Sequence, residues 1–253
     1  MSFNVPADAY LKFMGRYSQP LAEQFLDLVG VRRGGRVLDV GCGPGVLTAP
    51  LVSRCGEESV SAVDPSPPFV AAVRERFPVV DVRTAAAEAL PYDDDTFDAA
   101  LAQLVVHFLA DPVSGLREMG RVTRPGGTVS ASVWDNAGTT GPLSVFWQAV
   151  SEVDPAASGE AQLAGSREGH LAELAGEAGL ARVRSTSLTV RIRFASFDDW
   201  WAPYLLGVGP SGAYVASLDD DGRREVEDQC RALLPQGSFE HAATAWVVIA
   251  EVG

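Results

Sequence analysis

The sequence predicts an α/β protein with a doubly wound, mostly parallel sheet, and three observations predict it. Through residues 35–135, short apolar runs alternate with amphipathic segments, the rhythm of strand–helix–strand units. The first apolar run, Val37 to Val40, is followed at once by a glycine-rich turn, GCGPG at 41–45. The second run ends on an acid, Asp64. Crossovers in such sheets are right-handed and ligands sit beyond the C-terminal strand ends, which is where both features fall.

Taken in order, residues 7–29 read as helical: Leu21, Phe25, Leu28 and Val29 recur at helical spacing after Pro20, which can open a helix. Val37, Leu38 and Val40 make the first strand. Residues 46–52 read as a helix with Pro50 near its first turn. SVSAVD is the second strand. In SPPFVAAVRERF, Ser66 suits an N-cap and Pro67 a first turn. VVDVRTAA and TFDAALAQL are the third and fourth strands, PVSGLREMGRVT is a helix, and TVSASVWD is the fifth strand.

After Asp135 the rhythm breaks. Residues 136–165 are rich in Gly, Ala, Ser and Pro around one amphipathic piece, LSVFWQAVSEV. REGHLAELAGEAGL is a helix ending at Gly179, and ARVRSTSLTVRIRF alternates as one or two antiparallel strands. The segment at 196–240 is mostly helical, and TAWVVIAEV is the final strand. These pieces make one domain: an N-terminal helical cap (1–33), a core (34–135), a variable insertion with helix and strand (136–195), a helical lid (196–240) and a last strand (241–253).

Composition narrows the partners. The 253 residues suffice for one sizeable core, and 47% hydrophobic with 21% charged residues is ordinary for a soluble globular chain. The net charge of −13, with no basic run beyond the pairs Arg32-Arg33 and Arg223-Arg224, argues against a nucleic-acid partner. No apolar run reaches the ~18 residues needed for membrane insertion, and the first residues lack a charged-then-apolar leader. A cytoplasmic monomer or homodimer is expected. Cys42, Cys55 and Cys230 are odd in number and widely spaced, which suggests neither a disulfide framework nor a metal site.

One tetrad pulls the other way. Ser66-Pro67-Pro68-Phe69 has the form used by enzymes that methylate amino groups of nucleic-acid bases. There the tetrad ends the fourth strand. Here it follows the second, beside Asp64, while the fourth ends in AQLV. It reads as a helix start.

The strongest chemical signal is LDVGCGPG, residues 38–45. A dinucleotide fingerprint wants a third small residue at position 46, which is Val46. The spacing is instead G-x-G-x-G behind Asp39, and glycines there let backbone approach a ligand closely. Asp64 lies about twenty residues on, where an acid accepts hydrogen bonds from two ribose hydroxyls.

VLDVGCGPG, VDPS, AEALPYDDDTFD and RVTRPGG, in that order, resemble the class I S-adenosylmethionine-dependent methyltransferases, and within them the small-molecule subgroup called type 11, which includes quinone-biosynthesis C-methyltransferases. The resemblance covers residues 35–135, with an echo in the final strand. It implies a seven-stranded sheet, S-adenosyl-L-methionine as cofactor, and S-adenosyl-L-homocysteine as product. It puts Asp39, Gly41, Cys42 and Gly43 at the cofactor, with the glycines under its methionyl part. Asp64 takes the ribose, and Pro65 and Ser66 border the adenine. Ala87 and Glu88 fall where the family contacts the adenine amine; many relatives have Asp just before this pair, where this chain has Ala86. Gln103 and Leu104 fall beside the sulfonium. In YLKFMGRYS, Arg16 is a candidate partner for the methionyl carboxylate, and Tyr10 and Tyr17 either shield the cofactor or pack helices.

The expected reaction is in-line methyl transfer to a small, apolar or aromatic acceptor, driven by alignment and exclusion of water. A general base is needed only if the acceptor must lose a proton; His107, after the fourth strand, is the candidate. His170 sits among polar neighbours and His241 precedes the last strand. Phe197, Trp200, Trp201, Tyr204 and Phe239, with Phe146 and Trp147, either fill the lid's core or line an acceptor pocket. The DDD runs at 93–95 and 219–221 read as solvated turn or helix-start charges. Two other readings stand beside this one: a non-catalytic S-adenosylmethionine-binding protein, and a nucleotide-dependent oxidoreductase, against which Val46 and the lack of a later Tyr-x-x-x-Lys both speak.

Overall fold

A computed structural model describes residues 7–157 and 159–253; the first six positions of the N-terminal cap and Ser158 of the insertion lie outside the described residues. Two helices come first, α1 (Ala7–Phe13) and α2 (Gly15–Val29), separated at Met14. Pro20 does not open a helix: it lies inside α2, which buries Tyr17, Leu21, Ala22, Phe25 and Leu26 on one face and stops at Gly30 in a left-handed conformation.

Then come β1 (Val37–Val40), α3 (Thr48–Cys55), β2 (Val60–Asp64), α4 (Pro67–Arg76), β3 (Asp81–Thr84), β4 (Phe97–Gln103), α5 (Pro112–Val122) and β5 (Thr123–Trp134). Pro50 is the third residue of α3, a first-turn position where the missing N–H costs no bond within the helix. Asp111 caps α5, accepting from the Ser114 N–H at 3.0 Å, with Pro112 next to it. Beyond the core lie α6 (Ser144–Val153), α7 (His170–Glu177), β6 (Ala181–Phe194), α8 (Phe197–Trp201), α9 (Gly209–Ser217), α10 (Asp220–Leu233) and β7 (Phe239–Glu251).

The seven strands form one sheet in the order β3-β2-β1-β4-β5-β7-β6. The first five are parallel, and β7 runs antiparallel between β5 and β6. The alternating stretch at 181–194 is therefore one strand. Its end pairs Phe194 with Phe239, so β7 starts two residues before the expected 241. The outer edge of β6 carries Arg184, Arg191 and Arg193, charges that discourage a further strand from adding there.

Both faces of the sheet are covered. One core joins Phe25, Leu26, Leu51, Val70 and Val73 of α2–α4 to β1 and β2. The other joins Leu116 and Met119 of α5 and Leu171 and Leu174 of α7 to β1, β4 and β5. A third cluster holds the lid: Phe146, Trp200, Trp201, Tyr204, Val226 and Cys230 pack against Phe13, Tyr17 and Phe194. Asp219 caps α10 through the Gly222 N–H at 2.8 Å with Asp220 and Asp221 in its first turn, and Asp94 of the other acidic run pairs with Arg121 at 2.7 Å. The strand order reverses between β1 and β4, and a crevice opens past their C-terminal ends.

Candidate functional site

That crevice is a cavity of about 360 Å³. Three turns build it. After β1, the N–H groups of Gly41 and Cys42 both donate to the Val63 carbonyl, at 2.8 and 2.9 Å, tying the glycine turn to the end of β2. Gly41 has φ +72°, and a Cβ there would lie 2.5 Å from a Val105 methyl. Gly43 has φ +52° and faces open space. Glycine is required at the first position for room and conformation, and at the second because the space belongs to the cavity.

The second turn follows Asp64. One carboxylate oxygen accepts from the Gly43 N–H at 2.9 Å and the other from the Ser66 N–H at 2.8 Å. The acid thus joins two walls and keeps acceptor capacity on both oxygens. Burial pushes its carboxyl up, and the two backbone donors oppose that. Ser66 occupies the N-cap position of α4, but its side chain does not make the cap bond. Behind the glycine turn Asp39 accepts from the Thr48 hydroxyl at 2.6 Å, and burial pushes its carboxyl up to about 7.

The third turn follows β4. The Gln103 amide donates to the Ser18 carbonyl at 2.9 Å, which draws α2 over the crevice. Gln103 Oε1 and Ser18 Oγ are left buried without partners in the cavity wall. Leu104, next in sequence, takes φ +61°, a conformation costing a non-glycine residue about 1–2 kcal/mol. Its N–H donates to the Ser132 carbonyl at 2.8 Å.

The cavity wall brings together Asp39, Gly41, Cys42, Gly43, Asp64, Pro65, Ser66, Ala87, Glu88, Gln103 and Leu104. Glu88 also holds the loop before α5, accepting from the Ala110 N–H at 3.0 Å. Tyr10 reaches the wall and meets Phe69 edge-on at 6.3 Å. Tyr17 packs away from it, hydrogen-bonded to His241 Nδ1 at 3.1 Å.

Residues 38–131 match the model of a family described as a methyltransferase domain. Together with the sheet order, this gives the chain the class I methyltransferase fold. Among relatives, a malonyl-[acyl-carrier protein] O-methyltransferase of Salmonella typhimurium is 36% identical over 52% of this chain and 51% of its own. A trans-aconitate 2-methyltransferase of Methylobacterium nodulans is 34% identical over 51% and 50%. The chain thus spans about half the length of the curated relatives it matches. A solved structure of a methyltransferase-like protein from Bacillus halodurans superposes with TM-score 0.59 at 17% identity, over 91% of this chain and 97% of that one, a likeness of fold. By their names the first two relatives act on malonyl-[acyl-carrier protein] and trans-aconitate, and neither is a quinone-biosynthesis C-methyltransferase.

Arg16 is not in the wall. Its guanidinium grips Asp199 at 2.8 and 3.1 Å and stacks 4.4 Å over Phe194, fastening α2 to α8. A nearby carboxylate on the lid has taken the charge that the sequence offers to the cofactor. Arg16→Ala is therefore expected to leave S-adenosylhomocysteine affinity within about twofold by calorimetry. The half-exposed pair and the ring contact together are worth about 1 kcal/mol, a Tm loss of about 2–4 °C. A tenfold affinity loss at unchanged Tm would restore Arg16 to the cofactor.

His107 borders a second, smaller cavity rather than the first. It is 6% exposed, and burial lowers its pKa to about 3, so the ring is neutral at pH 7 and a poor proton acceptor. His170 Nδ1 accepts from the Gly165 N–H at 3.2 Å, a structural contact. The lid aromatics are core: Trp200, Trp201, Tyr204 and Phe146 are each at most 4% exposed, and Phe146 stacks on Tyr204 at 4.8 Å. Among the described residues no group of three or more His, Cys, Asp or Glu could hold a metal. No described helix is long and apolar enough to cross a membrane.

Ser18, Glu160 and Ser211 border the cavities without any sequence signal. Ser18 lies one turn beyond Met14 on a helix face otherwise apolar, and Glu160 sits in a Gly- and Ala-rich stretch. Only the packing of the cap and insertion over the sheet brings them in.

Proposed function

We propose that the protein is an S-adenosylmethionine-dependent methyltransferase acting on a small, apolar or aromatic metabolite. The observation that carries this reading is the pairing of Asp64 with a glycine turn at the β1/β4 switch point. There an anchored carboxylate keeps free acceptor capacity beside open space at Gly43. The cofactor fits what the wall leaves unsatisfied. Asp64 would accept both ribose hydroxyls, and Phe69 and Pro65 would border the adenine. Ser18 Oγ and Gln103 Oε1 would accept from the amino group, with Asp39 behind them.

When bound, S-adenosylmethionine supplies a methyl group already activated by the positive charge on sulfur. The chain's task is then to position and to dry the site. Tyr10 and α2 cover the opening from one side, and the turn at Leu104 and Val105 closes it from the other. His107, neutral and weakly basic, supplies shape rather than proton transfer.

Thermal unfolding with saturating ligand tests the reading. S-adenosylhomocysteine at ~100 times its Kd should add about 2.7 kcal/mol, or about 5–10 °C in a chain of this size, and NAD should add nothing. A shift with NAD and none with S-adenosylhomocysteine would refute it.

A further inference from the structure

Next to the large cavity lies a second of about 40 Å³, and Tyr10, Leu104 and Phe108 border both. Its wall is mostly apolar, with Phe13, Trp134, Leu143 and Val208 among its residues. Polar side chains interrupt it, among them His107, Asn136, Glu160 and Ser211. His107 and Glu160 are each 6% exposed and Ser211 is fully buried. Each has an atom with no hydrogen-bond partner: His107 Nδ1, Glu160 Oε2 and Ser211 Oγ. Leaving a buried polar atom unpaired is costly, and three around one small space, from three separate segments, point to a ligand that satisfies them.

The charge of the walls is one-sided. Among the described residues bordering the two cavities there is no Lys or Arg, while Asp39, Asp64, Glu88 and Glu160 are acidic. Asp39 and Asp64 are already assigned to the cofactor, and Glu88 is engaged by backbone N–H groups. Glu160 alone faces the smaller space. Burial pushes its carboxyl up to about 7; the Trp147 indole N–H, the nearby donor, opposes that but makes no hydrogen bond of normal length with it. Either protonation state leaves an oxygen able to accept.

We infer that the smaller cavity is the polar end of the acceptor site, and that Glu160 and Ser211 there receive a hydroxyl or amine carried by an otherwise apolar acceptor. The space suits a group of a few heavy atoms, so the rest of the acceptor extends past Tyr10 and Phe108 toward the transfer point. A neutral or cationic acceptor is accommodated. A carboxylate would lie against Glu160 with no cation to neutralise it. This inference rests on the reading of the larger cavity as the methyl-donor site.

The test uses the full chain saturated with S-adenosylhomocysteine, whose own thermal shift reports separately on that reading. Binding of p-cresol, benzylamine, toluene and benzoate is measured by ligand-observed NMR. p-Cresol or benzylamine should bind about tenfold more tightly than toluene or benzoate, the preferred one telling a neutral hydroxyl from a cationic amine. Glu160→Leu, which removes both oxygens, should erase most of that preference, and Ser211→Ala should reduce it, both with S-adenosylhomocysteine affinity unchanged. Equal binding of all four probes, binding of none, or a preference that survives both substitutions would overturn the inference even if S-adenosylhomocysteine still binds.

Discussion

Asp64→Ala is expected to weaken S-adenosylhomocysteine binding by more than about tenfold, measured by calorimetry. The carboxylate has two duties. It would accept both ribose hydroxyls, and it already binds the N–H groups of Gly43 and Ser66, one on each oxygen. Hydrogen bonds to a charged group are worth about 1.5–3 kcal/mol each, and a loss of 1.4 kcal/mol is one factor of ten. Alanine removes the ribose acceptors and also leaves two backbone donors at the cavity wall without partners. Asp64→Asn separates the two effects: its amide oxygen can keep one backbone bond, so affinity should fall while Tm falls less than in the alanine variant. Near-unchanged affinity in Asp64→Ala would end the ribose assignment.

The glycine turn should show a contrast between neighbours. Gly41→Ala adds a Cβ that meets two Val105 methyl carbons at 2.5 and 2.7 Å, in a backbone with φ +72°. The left-handed conformation costs about 1–2 kcal/mol and overpacking about 1–3 more. Tm should fall by at least about 5 °C, and binding should fall with it because Val105 adjoins Leu104 at the cavity. Gly43→Ala meets nothing within 4 Å. Its stability cost is limited to the conformation, about 1 kcal/mol. The methyl instead enters ligand space, so affinity should drop more than about tenfold while Tm moves by only a few degrees. If both variants lost stability equally and kept their affinity, the turn would be structural alone.

These two predictions rest on residues readable from the chain itself, for a physical reason. Strand and glycine turn are local: apolar run, G-x-G-x-G, then an acid at the next strand's end. In a parallel sheet adjacent strand ends are brought together by right-handed crossovers, so sequence order alone puts Asp64 beside Gly43. The same holds for Gln103 and Leu104, which end the strand on the other side of β1. Helix starts such as Asp111-Pro112 and Asp219 are equally local, because a cap needs only its own first turn.

What depends on docking was not readable. The sequence offers Arg16 as a partner for the methionyl carboxylate, and its neighbourhood gives no sign of Asp199, 183 positions away. An ion pair is decided by which carboxylate arrives nearest, and the lid's arrives first. His107 looks like a base from its position after β4; the burial that weakens it comes from packing around the smaller cavity. Glu160 carries no pattern of its own.

By itself the sequence determined the α/β class, the parallel core from Val37 to Trp134, and the turns that line the larger cavity, since each follows from periodicity and from residues close together along the chain. Only the tertiary structure decided that β6 is one strand, that Arg16 pairs with Asp199 of the lid, that the aromatic cluster is core, and that Glu160 and Ser211 border the smaller cavity. Those outcomes turn on burial and on contacts between segments far apart in sequence, where the nearest partner, and not the residue type, sets what a side chain does.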